Sequence, residues 1–219
     1  LTQSDMNQFQ GMSKSLQDYN KASGKTSQWT PSLFSGMPAY QIIEGNNGNV
    51  MHYFATPLTL GSYSLNAGIL FLMALGFYIF MICMGCNPYL ALFSGLMYAL
   101  GSYNIIIIGV GHITKAWAMA MIAPILAGMV LTFKKKYLTG CALFAFSLGL
   151  QLTFNHIQIT YYTMITAFIL GLSYLCFAVK DKQMKDFVKS FLVLICGVII
   201  ALMPSASHLM INQEYLKYT

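Results

Sequence analysis

Between Tyr53 and Gly111 the chain carries no charged residue. A run of that length is too long for one membrane crossing of about 20 residues and suits two. The turn-forming cluster Gly85-Cys86-Asn87-Pro88 separates them. Spans are therefore expected at about 65–84 and 89–110. Four more uncharged runs follow, at 116–133, 137–154, 159–179 and 190–204, split by short polar segments at 111–115, 134–136, 155–158 and 180–189. Hydrocarbon offers backbone groups no water, so helices are the expected form of every run. The predicted fold class is all-α, a polytopic transmembrane bundle of about six spans over 61–204. Composition agrees: 8% of residues are charged and 57% hydrophobic, where a soluble domain is about a quarter charged.

The net charge of +6 does not point to nucleic acid. All twelve cations are lysines, scattered or set between apolar runs, and arginine is absent. Arginine is the residue best suited to phosphate forks and base edges.

Lysine near span ends sets orientation. One side has Lys134, Lys135, Lys136, Lys180, Lys182, Lys185 and Lys189; the other has only Lys115 close in, with Lys14, Lys21 and Lys25 in a longer loop and Lys217 further off. The lysine-rich side is expected to be cytoplasmic, which places 1–60 and 205–219 outside. His52, His112, His156 and His208 then fall on the outer side, as do Asp5, Asp18, Glu44 and Glu214. Of the five cysteines none does, and Cys83-Met84-Gly85-Cys86 has no second pair or histidine on its own face. Buried reduced thiols are the ordinary reading.

In the outer segment, Met6, Phe9, Met12, Leu16 and Tyr19 recur at helical spacing, which predicts an amphipathic interfacial helix. Asp5 stands where an N-cap would, or could act as a general base beside the membrane. A loop from Trp29 to Gln41 follows, rich in aromatic residues, glycine and proline, including Met37, Pro38 and Tyr40.

Two outer turns carry hydrogen-bonding chemistry. Gly111-His112-Ile113-Thr114-Lys115 opens the third span. A lysine at a helix N-terminus opposes the macrodipole unless it meets an anion, and free N–H groups, a hydroxyl and an ammonium together suit phosphate. The alternative is a lysine that snorkels to the headgroups. Asn155, His156 and Gln158 occupy the next outer turn and could position sugar or phosphate; turn chemistry and an interfacial aromatic belt account for them equally.

At these residues the chain resembles the bacterial YfhO family of membrane proteins. The resemblance lies in Gln3-Ser4-Asp5-x-x-Gln8, Trp29-Thr30, Gly36-Met37-Pro38-x-Tyr40-Gln41, Gly109-x-Gly111-His112-x-x-Lys115-Ala116, Ala120-x-x-x-Pro124, Asn155-His156-x-Gln158-x-Thr160-Tyr161-Tyr162 and Gln213-Glu214-Tyr215. It covers nearly the whole chain in order. It implies a further span before Leu1 and several after Thr219, with both ends cut from a longer protein. That family is similar to the GT-C class of glycosyltransferases, which take sugars from polyprenyl-phosphate carriers at the outer leaflet. The resemblance implies a bacterial cytoplasmic-membrane enzyme in which Asp5 is the catalytic base. His112 and Lys115 would meet the donor phosphate, and Asn155, His156 and Gln158 would help bind the donor. The loop bearing Trp29, Met37, Pro38 and Tyr40 would close over the substrate. Gln8 stands where many such loops carry a second acid, which leaves a divalent metal open. A transporter or lipid flippase, or a non-catalytic scaffold for envelope assembly, are the alternatives.

Overall fold

The computed structural model describes residues 3–32, 35–39, 49–58, 60, 66–215 and 217. Tyr40 and Gln41 of the expected substrate loop lie outside the described residues, as does Glu44. The protein is almost entirely helical. Its elements in chain order are α1 (Ser4–Ser23), β1 (Trp29–Thr30), β2 (Met37–Pro38), α2 (Met51–Leu58), α3 (Asn66–Met84), α4 (Pro88–Ala99), α5 (Ser102–Val110) and α6 (Ile113–Ala120). They continue with α7 (Ile122–Phe133), α8 (Tyr137–Thr153), α9 (Ile157–Lys180), α10 (Met184–Leu202), a 3-10 turn (Met203–Ser205) and α11 (Ala206–Tyr215).

Each uncharged run is helical, but the expected six spans are not six equal helices. Four helices are long and apolar enough to cross a membrane: α3, α6–α7 taken together, α9, and α10 with its 3-10 extension. The bent pair α4–α5 makes a fifth if counted as one span; its two parts meet at 42°. Helix α8 is shorter, at 17 residues. The α4–α5 bend falls at Leu100–Gly101, where Asn104 Nδ2 donates to Tyr98 O at 2.6 Å and so satisfies a carbonyl the bend releases.

The α6–α7 span forms the centre of the bundle. Of its apolar window 72% is buried, against 11% for α9. Close approach explains how it is surrounded. A Cβ on Gly76 of α3 would meet Pro124 at 2.9 Å, and one on Gly128 of α7 would meet the Phe144 backbone nitrogen of α8 at 2.5 Å. Small residues at such contacts let helix backbones touch, which is how helices associate where no hydrophobic force separates protein from lipid. Pro124 has no N–H for Ala120 O, and the regular helix is interrupted at Met121 between α6 and α7.

On the lysine-rich face Lys134 donates to Cys83 O at the end of α3 (2.6 Å), and Lys135 pairs with Asp186 at 2.7 Å. Lys189 lies over the Tyr137 ring, 4.4 Å from its centroid. At the opposite end of the bundle, Asn49 is buried and ties three elements together. Its Nδ2 donates to Thr153 Oγ1 (3.1 Å) and Ser205 Oγ (3.3 Å), while its Oδ1 accepts from Met51 N at 2.9 Å.

Candidate functional site

The site forms where α1 docks on the turn between α5 and α6. Gly111 ends α5 with φ 101°, a conformation that favours glycine. The turn closes with Gly111 N–H to Ile108 O and His112 N–H to Ile107 O, both at 3.1 Å. A side chain at Gly111 would also strike α1, since a Cβ there would lie 3.0 Å from Gln3 Cβ and 3.3 Å from Met6 N. Gln3 Nε2 donates to Ile108 O at 2.9 Å. The first turn of α1 is thereby held against the start of α6.

That docking brings Asp5 to His112: Asp5 Oδ2 and His112 Nδ1 are 2.7 Å apart. Asp5 is not the N-cap. The cap is Gln3, which makes no side-chain capping bond, and Asp5 lies inside the first turn. A carboxylate there still benefits from the positive end of the helix. Because it does not bond the backbone as a cap would, it is available to the neighbouring turn. The apolar side of α1 behaves as the spacing predicts at Leu16, which is buried, whereas Tyr19 is exposed.

Lys115 sits in the first turn of α6, half-buried, its ammonium over the Tyr103 ring at 5.6 Å from the centroid. Among the described residues no carboxylate pairs with it. His112 is the N-cap of α6 and His156 the N-cap of α9, and neither helix has a side-chain capping bond. Ile113 N–H bonds Gly111 O (2.8 Å) and Ile159 N–H bonds His156 O (3.0 Å), while no side chain caps the remaining first-turn N–H groups of either helix.

His156 Nδ1 is buried without a hydrogen-bond partner among the described residues. Burial first, then the Lys115 ammonium and more weakly His112, pushes the His156 imidazole below its ordinary range. A lowered folded pKa means that the unfolded chain binds the extra proton first. This contribution to stability is complete above pH 6.5 and is lost as pH falls through the lower folded value. His52 is lowered too, by burial. Thermal unfolding of the full-length protein in detergent should therefore occur at lower temperature as pH drops below 6.5. His156→Gln should flatten that slope without removing the share of His52; an unaltered slope would contradict this account.

Packing beneath the site explains why Lys115 and His156 share a neighbourhood. Trp117, two residues along from Lys115, stacks on Phe154 with ring centroids 5.5 Å apart. Fully buried Gln151 donates from Nε2 to Ala118 O (2.9 Å) and Thr163 Oγ1 (3.0 Å), joining α8 to α6 and α9. Sequence reasoning missed Gln151, Trp117 and Phe154. For Gln151 a signal existed, since it is a lone amide inside an apolar run and polar residues inside membranes mark function or packing.

Other expected site residues make local contacts of their own. Asn155 has φ 52° just after the C-cap of α8, a helix-ending role that asparagine tolerates, and its side chain is exposed. Gln158 bonds Tyr162 Oη at 2.9 Å, one helical turn on. Trp29 pairs with Pro38 and Thr30 with Met37 in a two-stranded hairpin, and the Trp29 ring lies against Gly36. Ser27 N–H reaches Asn20 Oδ1 (2.8 Å), which ties the hairpin to the far end of α1. From Asp5 to that anchor is about 22 Å along the helix, at 1.5 Å per residue. The structure thus brings together Asp5, His112, Lys115 and His156. It does not bring Trp29, Met37 and Pro38 to them.

These elements define a helical protein with several helices able to span a membrane and a polar cluster at one end of the bundle. No family model matches the chain, nor does any curated protein or solved structure.

Proposed function

We propose that this chain is part of a membrane glycosyltransferase of GT-C type, which moves a sugar from a polyprenyl-phosphate donor to an extracytoplasmic acceptor. In this reading all six apolar runs cross the membrane, with α8 among them at the short end of the workable range. Lysine asymmetry then puts 1–60 and the turns at 111–115 and 155–158 outside, and the cytoplasmic membrane of a bacterium is the setting. The observation that carries the reading is the 2.7 Å contact of Asp5 with His112 at the N-terminus of α6, with Lys115 in the same turn.

The acceptor hydroxyl attacks the anomeric carbon, the bond from that carbon to the phosphate oxygen breaks, and configuration inverts. The Asp5–His112 pair takes the hydroxyl proton. Charge accumulates on the departing phosphate, where Lys115 and the first-turn amides of α6 lie ready to neutralise it. His156, kept neutral beside Lys115, offers a hydrogen bond without adding a second cation. A transporter would concentrate such groups near the midplane, whereas these gather at one end.

Strains carrying full-length wild-type or Asp5→Asn protein can be compared by extracting their lipids. The expected result is a glycosylated polyprenyl-phosphate carrier that accumulates only in the Asp5→Asn strain. Identical lipid profiles would reject the transfer reading.

A further inference from the structure

The two members of the Asp5–His112 pair are not equally free. Asp5 Oδ2 faces His112 Nδ1 at 2.7 Å, and Asp5 Oδ1 accepts from the Ser4 hydroxyl at 3.3 Å. Each carboxylate oxygen thus has one neighbour, the Ser4 hydroxyl lying also 3.5 Å from Val110 O, and Asp5 is 35% exposed. His112 is 47% exposed, and the only polar contact of its ring among the described residues is through Nδ1. Its Nε2 is the open nitrogen of the pair.

A carboxylate oxygen 2.7 Å from a ring nitrogen accepts a hydrogen there, so the proton of a neutral imidazole belongs on Nδ1. That leaves the lone pair on Nε2. His112 is the more exposed member of the pair, and its Nε2 carries a lone pair with no contact among the described residues, whereas each Asp5 oxygen already has a neighbour. The α1–Gly111 docking fixes the arrangement, because Gln3 and Met6 hold the first turn of α1 against the loop that carries the ring.

We infer that His112 Nε2 is the atom that accepts the proton of the acceptor hydroxyl, and that Asp5 is the positioning residue that fixes the ring with its hydrogen on Nδ1. The inference rests on the transfer reading and names the base within it. The acceptor O–H bond breaks as N–H forms at Nε2, and the oxygen electron pair makes the new bond to the anomeric carbon. The sugar–phosphate bond leaves with its electron pair on phosphate. The imidazolium so formed is paired with Asp5 while the departing phosphate gains its charge, and the proton passes to water from the exposed ring.

The test uses full-length protein with 15N-labelled histidine in lipid nanodiscs, the His112 signals being assigned by their loss in His112→Gln. Wild type should show neutral His112 protonated at Nδ1 with a bare Nε2. Asp5→Asn should spread the ring over both tautomers, and Asp5→Glu should restore the wild-type form. In parallel, release of undecaprenyl phosphate from undecaprenyl-phosphate-linked glucose, galactose and N-acetylglucosamine is measured in membranes of the producing cells, which supply the acceptor hydroxyl. His112→Gln and His112→Asn should each lose on the order of 100-fold, the scale of a missing general base, with Asp5→Glu retaining more activity than Asp5→Asn. Unchanged signals from His52 in each variant certify the fold. A wild-type ring protonated at Nε2, or His112 variants within a few-fold of wild type while Asp5→Asn is inactive, would overturn the assignment. A bare Nε2 with no turnover of any donor by wild type would instead overturn the transfer reading and leave the tautomer assignment standing.

Discussion

Lys115→Gln is expected to weaken use of a polyprenyl-phosphate donor by roughly 10- to 150-fold, with folding and insertion intact. Glutamine keeps reach and hydrogen-bonding capacity and removes the charge. A phosphate at a partly dry helix terminus would lose one charge-assisted hydrogen bond, on the order of 1.5–3 kcal/mol. The structure sharpens the contrast with a lysine that only anchors the helix end. Lys115 is half-buried, rests over Tyr103, and has no carboxylate partner among the described residues. Its charge also bears on His156, whose imidazole it helps to keep neutral. Without a phosphate to bind, removing the ammonium relieves both the helix dipole and His156, so stability should hold or rise. Activity and thermal unfolding measured on the same preparation separate the two cases: unchanged activity with equal or higher stability would remove Lys115 from the site.

Gly128→Leu is expected to abolish the folded bundle. A Cβ at Gly128 would lie 2.5 Å from Phe144 N and 2.7 Å from Phe144 Cα, so backbone rather than a flexible side chain stands in the way. Even Gly128→Ala must part α7 from α8, a cost of roughly 1–3 kcal/mol by the usual scale of overpacking. The α7–α8 contact lies at the centre of the bundle, so the larger side chain has no route to relief. Gly171→Ala in α9 is the control, since a Cβ there meets nothing within 4 Å. It should be neutral or stabilising by up to about 1 kcal/mol through helix propensity. Detergent unfolding curves of the three variants would show this order; Gly128→Leu with wild-type stability would contradict the packing described.

The helices were legible because charge-free runs bounded by lysine, glycine and proline leave the backbone little choice. The Gly111-His112 turn and its lysine were legible for a similar reason, since their chemistry is local. What failed was local inference about distant partners. Asp5 is a residue type that favours an N-cap, yet the cap falls two residues earlier, at Gln3, and the carboxylate meets a histidine more than 100 residues away. Asn155 reads as a ligand by residue type, and its backbone, at φ 52°, also ends α8, a role its side chain does not announce. The loop at Trp29 lies beside Asp5 in the motif order, but a helix of 20 residues separates their anchors. Helix α8 is short already as the uncharged run 137–154, and Phe154 and Asn155 close it at 17 residues. The Trp117–Phe154 stack and the Gln151 bonds unite three helices, and no periodicity within one helix encodes that.

Everything in the mechanism depends on the Asp5 cluster facing the outside of the cell. Lys25 is exposed just beyond α1, on the same segment as Asp5. In a full-length, cysteine-free background, a single cysteine at position 25 should react with a membrane-impermeant maleimide in intact cells. Labelling of that cysteine only after the membrane is permeabilised would contradict the topology and the mechanism together.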